Sequence, residues 1–114
     1  MRKLKKGRKF GRESSVRKAF LKSLITALIS HKKITTTRER AKEISPLVQK
    51  AVTKAKKGDI ASVRLLRKDL SEETVKKLLE IAKSYQDRKG GYVRIVNKGQ
   101  RRTDGAMSVI IEFV

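Results

Sequence analysis

Lysine and arginine carry most of the chemistry open to this chain, and they are densest at its start. Residues 1–12 hold seven of them, Arg2, Lys3, Lys5, Lys6, Arg8, Lys9 and Arg12, with no acid among them. Only Leu4 and Phe10 in this stretch have apolar surface to bury, too little to offset the entropy of ordering its backbone. Such a segment stays extended until it meets a dense negative charge. Gly7 and Gly11 allow the backbone to approach that partner closely. A polyphosphate fits best, so residues 1–13 read as a nucleic-acid-binding arm.

Other residues could extend that chemistry. Arg88, Lys89 and Arg94 surround Gly90, Gly91 and Tyr92, a turn that could clasp phosphates through side chains and backbone N–H groups. Two consecutive glycines at a helix stop imply at least one positive φ, with Gly90 at the usual C′ position and Gly91 leaving room for the partner. Tyr92 either stacks on a base or sugar or is a half-buried tyrosine after the turn. Lys98, Arg101 and Arg102 form a basic hairpin tip, which is either a contact or an ordinary solvated turn. Thr35, Thr36 and Thr37 stand at a helix start, where hydroxyls and free N–H groups suit an anion, although capping accounts for at least one of them. His31 reads as a helix-end group or a phosphate contact rather than a general base.

Other chemistries find few residues. The chain has no cysteine and one histidine, which removes disulfides, thiolate zinc sites and the usual His-based triads. The acids are scattered among Lys and Arg rather than clustered for a metal. Catalysis, a metal, a cofactor, a small-molecule substrate and a membrane partner are therefore not expected. The net charge of +20 comes from 31 basic and 11 acidic residues. It is uneven: residues 1–40 carry 14 basic and 2 acidic side chains, and residues 71–90 carry 5 and 4. That asymmetry favours a binding arm and face over evenly spread solubilising charge.

The elements that must position these groups follow from periodicity. Ser14 or Ser15 caps a helix with apolar residues at Phe20, Leu21, Leu24, Ile25, Leu28 and Ile29, closed by His31, Lys32 and Lys33. Residues 34–37 form a short β-branched strand. Thr36 and Glu39 have capping-box spacing for a second helix, which turns Ala41, Ile44, Val48, Ala51, Val52 and Ala55 inward and stops at Gly58. Pro46 should kink or delay it. Asp59 caps a third helix and Ser71 a fourth, the fourth running to Gly90. The period then changes to two over residues 92–96 and 107–114, separated by a hairpin loop at 97–105. Arg94 falls on one sheet face with Tyr92. The order α-β-α-α-α-β-β gives a two-layer α+β domain over residues 14–114, with a small three-stranded sheet and a basic N-terminal extension.

Several of these strings together resemble the bacterial large-subunit ribosomal protein family numbered seventeen. They are Gly-Arg-x-x-x-Arg-x-Ser-Ser-x-Arg ending at Arg17, His31-Lys-Lys-Ile-Thr-Thr-Thr37, Ala41-Lys-Glu43, Gly90-Gly-Tyr-Val-Arg-Ile95 and the ending Ser108-Val-Ile-Ile-Glu-Phe-Val114. The likeness covers essentially the whole chain in order. It implies the same α-β-α-α-α-β-β fold, large-subunit rRNA as partner in the cytoplasmic ribosome, and a place near the nascent-peptide exit. It also implies contact with neighbouring ribosomal proteins, notably the one numbered thirty-two. Carried onto this chain, the rRNA-contacting positions are Arg2 to Arg12, Ser14, Ser15, Arg17, His31, Lys32, Lys33, Thr36 and the turn from Gly90 to Arg94. Ser45 and Pro46 depart from the family's pattern, as does the loop at 100–104, so Arg101 and Arg102 are expectations from charge alone. A DNA-compacting or regulatory protein is the alternative, although no helix pairs a basic face with the Asn or Gln residues that read base edges.

Overall fold

The structure, a computed structural model, describes residues 14–114; the basic arm and its seven cations lie outside the described residues. The chain runs α1 (Ser14–His31), β1 (Lys33–Thr37), α2 (Arg38–Lys57), α3 (Ile60–Asp69), α4 (Glu72–Lys83), β2 (Val93–Gln100) and β3 (Met107–Phe113). This is the α-β-α-α-α-β-β order that the periodicity implies. The three strands form one antiparallel sheet in the order β1-β3-β2, so β3 is central and pairs on both edges.

Alternation along β3 decides which side of the sheet is buried. Val109 and Ile111 are fully buried. Ile34 lies opposite Ile111 on one edge and Ile95 opposite it on the other, which extends the same apolar face across the sheet. α2 packs against that face through Ala41, Ile44, Val48 and Val52, all without exposed surface. α4 adds Val75 and Leu78, and α1 adds Leu28 and Ile29. Complete burial of each large aliphatic side chain contributes about 1.5–3 kcal/mol, so this two-layer seam dominates the stability. The other sheet face has Lys33, Glu112 and Arg94 in one cross-strand row and Thr35, Ile110 and Val96 in the next.

Capping follows sequence closely at three places. Asp59 accepts from the Ser62 amide at 2.8 Å and Ser71 from the Thr74 amide at 3.3 Å, starting α3 and α4. Gly58 closes α2 in the left-handed conformation. Elsewhere the structure differs. Ser14 and Ser15 form the first turn of α1. The cap of α2 is Thr37, one residue later than expected, which accepts from the Arg40 amide at 3.4 Å, while the Thr36 side chain lies on the core side of β1. α2 neither starts late nor stops at Pro46. Pro46 and Lys42 are both exposed, so the Lys42 carbonyl that loses its intrahelical partner faces solvent.

α4 ends at Lys83, well before Gly90. Its last turn tightens, with the Ser84 amide donating to Ile81 and the Tyr85 amide to Ala82, which swings Tyr85 into the core. β2 extends to Gln100, so much of the expected hairpin loop is strand. The pairing slips between Asn97 and Gly99, leaving Lys98 in a bulge.

The turn from α1 into β1 is strained. Lys32 has φ 65°, the left-handed region, while its amide donates to the Leu28 carbonyl at 2.7 Å. A side chain there costs on the order of 1–2 kcal/mol. Lys32→Gly is expected to stabilise the domain by about 0.5–1 kcal/mol, after allowing for the greater chain entropy of unfolded glycine. The check is a thermal melt in about 0.5 M salt, where the lost cation at the helix end is screened. A lower Tm would mean that the lysine side chain contributes more than its backbone strain costs.

Candidate nucleic-acid interface

Two basic segments far apart in sequence meet at one end of the sheet. The Phe113 amide donates to the Lys32 carbonyl at 3.1 Å, and the Val114 amide donates to the Tyr92 carbonyl at 2.9 Å. β3 thus ends stitched to both, with residues 31–33 on one flank and 88–94 on the other. Tyr85 adds a third tie, its hydroxyl donating to the Val114 carbonyl at 2.6 Å.

The turn at 88–92 is held from below by α2. The Lys56 ammonium donates to the Arg88 carbonyl and, at 3.0 Å, to the Tyr92 hydroxyl, which itself donates to the Arg88 carbonyl at 3.2 Å. Gln49, two turns earlier on α2, accepts from the Gly91 amide at 3.0 Å. The Arg88 guanidinium closes the turn on the Gly91 carbonyl at 3.0 Å. The Lys56 hydrogen bond holds the Tyr92 phenol below its usual pKa, whereas burial raises that of Tyr85.

Several expected contacts change role. Tyr92 is only 1% exposed, with its ring 5.3 Å from that of Tyr85, so it is a core residue and stacks on no base. It precedes β2 and shares no open sheet face with Arg94. Residues 88–91 are all exposed, but the Gly91 amide is engaged by Gln49 and so is not offered to a partner. Gly91, not Gly90, has the positive φ, 64°. Thr36 stands on the core side of β1, and Thr35 is the exposed hydroxyl of that strand. Arg94 is ion-paired to Glu112 at 2.7 Å, which reduces the charge it offers a partner.

The remaining residues fall elsewhere. Lys98 lies in β2 about 13 Å from Arg94 at the usual rise per strand residue, and Arg101 and Arg102 lie farther still, in the turn beyond Gln100. Arg101 is occupied in the turn, donating to Asp104 at 2.6 and 3.1 Å while its backbone bonds Ala106 and Gly105. A hydrogen bond from the Ala106 amide and those from the Arg101 guanidinium hold Asp104 below the usual carboxylate range. Ser14, Ser15 and Arg17 sit at the opposite end of α1 from His31, about 25 Å away along an 18-residue helix. Exposed cations at the stitched end are Lys32 and Lys33 on one flank, with His31 beside them, and on the other Lys89, Arg88 and the ion-paired Arg94.

Lys56 and Gln49 are positioning residues that sequence reasoning missed. Their signal was spacing: both flank the buried Val48, Val52 and Ala55 stripe of α2, where a polar side chain needs a partner. Three of the acids have structural work, Asp59 at a cap, Asp104 in the hairpin turn and Glu112 with Arg94. Among the described residues, no group of His, Asp and Glu is arranged to hold a metal ion.

The comparisons with known proteins place this scaffold among the ribosomal proteins. A family model described as ribosomal protein L17 matches residues 20–114. Large ribosomal subunit protein bL17 from Staphylococcus aureus strain JH9 is 47% identical over 119 residues, covering 94% of this chain and 98% of the relative. The proteins of that name from strains Newman and USA300 match equally. The chain belongs to the ribosomal protein L17 family.

The geometry of the turn separates its two glycines. Gly91→Ala is expected to cost about 1 kcal/mol, because alanine is strained at a positive φ. Gly90→Ala should be close to neutral, since no atom lies within 4 Å of an added Cβ. Urea unfolding of both variants measures the difference; equal costs would mean that the turn rearranges.

Proposed function

We propose that this chain is a structural constituent of the large ribosomal subunit in the cytoplasm, binding rRNA through its basic arm and the stitched end of its sheet. The observation that carries this reading is the pair of hydrogen bonds from Phe113 and Val114 to Lys32 and Tyr92, which fixes residues 31–33 and the turn ending at Tyr92 on the two flanks of the end of β3. One phosphate backbone can lie against both. The arm, with seven cations, supplies most of the affinity, and the stitched end gives the domain a fixed orientation on the RNA. Family membership supports rRNA as the polyanion. It also supports the finer expectations of a place near the nascent-peptide exit and contact with the ribosomal protein numbered thirty-two.

Three proteins test this against purified large-subunit rRNA over a salt series. They are the full chain, a deletion of residues 2–12, and Lys32→Gln/Lys33→Gln/Lys89→Gln. The deletion should remove several units of log–log salt slope and the triple variant roughly one unit per lost phosphate contact. Melting temperature should stay near that of the full chain in both. Unchanged rRNA affinity in the deletion and the triple variant would contradict the proposal. Equal affinity of the full chain for random duplex DNA at matched salt would favour the DNA-compacting alternative.

A further inference from the structure

α1, α2 and α3 enclose an open groove of about 540 Å³, and none of the residues that line it belongs to the proposed RNA surface. Two of its walls keep helical spacing. α1 contributes Lys18, Leu21, Lys22 and Ile25, and α2 contributes Leu47, Lys50, Ala51 and Lys54, each set at i, i+3, i+4 and i+7. The apolar members form the floor with Leu65 and Leu66 of α3, and the lysines form the rim. Leu47 of α2 is 39% exposed and Leu65 of α3 45%, so two large apolar side chains of the groove stand open to solvent. Asp69 is the one acid lining the groove, and it lies 3.9 Å from Lys22.

Charge and polarity select the occupant. RNA gains nothing from leucines on the floor, since its phosphates would be desolvated over apolar surface. Residues 1–13 hold seven Lys/Arg and one acid, the sign that the lysine rim repels. A second copy, with net charge +20, meets the same repulsion. We infer that this groove docks an acidic amphipathic helix of another protein, its apolar side chains against the floor and its Asp or Glu residues against Lys18, Lys22, Lys50 and Lys54. Eight residues along each wall span about 10 Å, enough for two turns of such a helix. The inference stands independently of the RNA-binding proposal.

The test is an NMR titration of the isotope-labelled full chain with a synthetic helical peptide bearing Leu at i, i+3, i+4 and i+7 and Glu on both flanks. Two control peptides replace either all Leu by Ser or all Glu by Lys. Saturable shifts confined to residues 18–25, 47–54 and 65–70, at least tenfold tighter than with either control, are expected. Leu47→Gln/Leu65→Gln should weaken this binding at least tenfold while circular dichroism shows an unchanged fold, because both side chains are already part-exposed. Equal binding of the Leu-to-Ser peptide would reduce the effect to bulk charge and overturn the inference. So would shifts centred on residues 31–33 and 88–94. Self-association in sedimentation that Leu47→Gln abolishes would make a second copy the occupant. A tenfold loss of rRNA affinity in the double variant would assign the groove to RNA, and either result overturns the inference.

Discussion

A β-strand in the middle of a sheet must satisfy its backbone groups on both edges, and at the end of β3 that requirement draws two distant segments together. Phe113 donates to Lys32 and Val114 to Tyr92, beyond the regular ladder on each side. Lys32 accepts a left-handed backbone to deliver its carbonyl, and Tyr92 is buried against Tyr85 and Lys56 as its carbonyl meets the Val114 amide. The strain at one partner and the buried polar clasp at the other are both set by this closure.

The closure also separates charge from apolar surface. A chain with +20 net charge repels itself, and a cluster of cations beside the core is tolerated only where their heads reach water or an anion. Lys33 and Lys89 are exposed, whereas Lys56, half-buried, donates to the Arg88 carbonyl and the Tyr92 hydroxyl. Lys56 thus shapes the backbone that presents Lys89. The lysines around the α1–α2–α3 groove have a different setting, since they border exposed leucines rather than turn backbone. The two surfaces suit partners of different chemistry.

Much of the architecture was legible because local signals agreed with tertiary needs. Asp59, Ser71 and Gly58 have one cheap local role each, and the structure uses them in those roles. The change of period after Gly91 marked the sheet correctly. The failures came where a long-range contact overrode a local signal. Gly90 and Gly91 look like a helix stop, but α4 had already ended so that Tyr85 could enter the core. Tyr92 looked available to a base, yet its partners Lys56 and Arg88 become neighbours only when α2 lies beneath the turn. Thr36 lost the capping role to Thr37, since alternation along β1 turns Thr36 to the core side. The hairpin's basic tip was visible as charge, but Arg101's engagement by Asp104 was not.

The central claim is that residues 31–33 and 88–90 form one RNA-facing end of the domain. Ultraviolet crosslinking of intact large subunits containing this chain, followed by peptide and nucleotide mapping, tests it most directly. The account predicts crosslinks from both segments to nucleotides of one local rRNA structure, together with crosslinks from residues 2–12. Crosslinks from 31–33 and 88–90 to unconnected regions, or from the groove-lining helices while both segments stay unlinked, would contradict it.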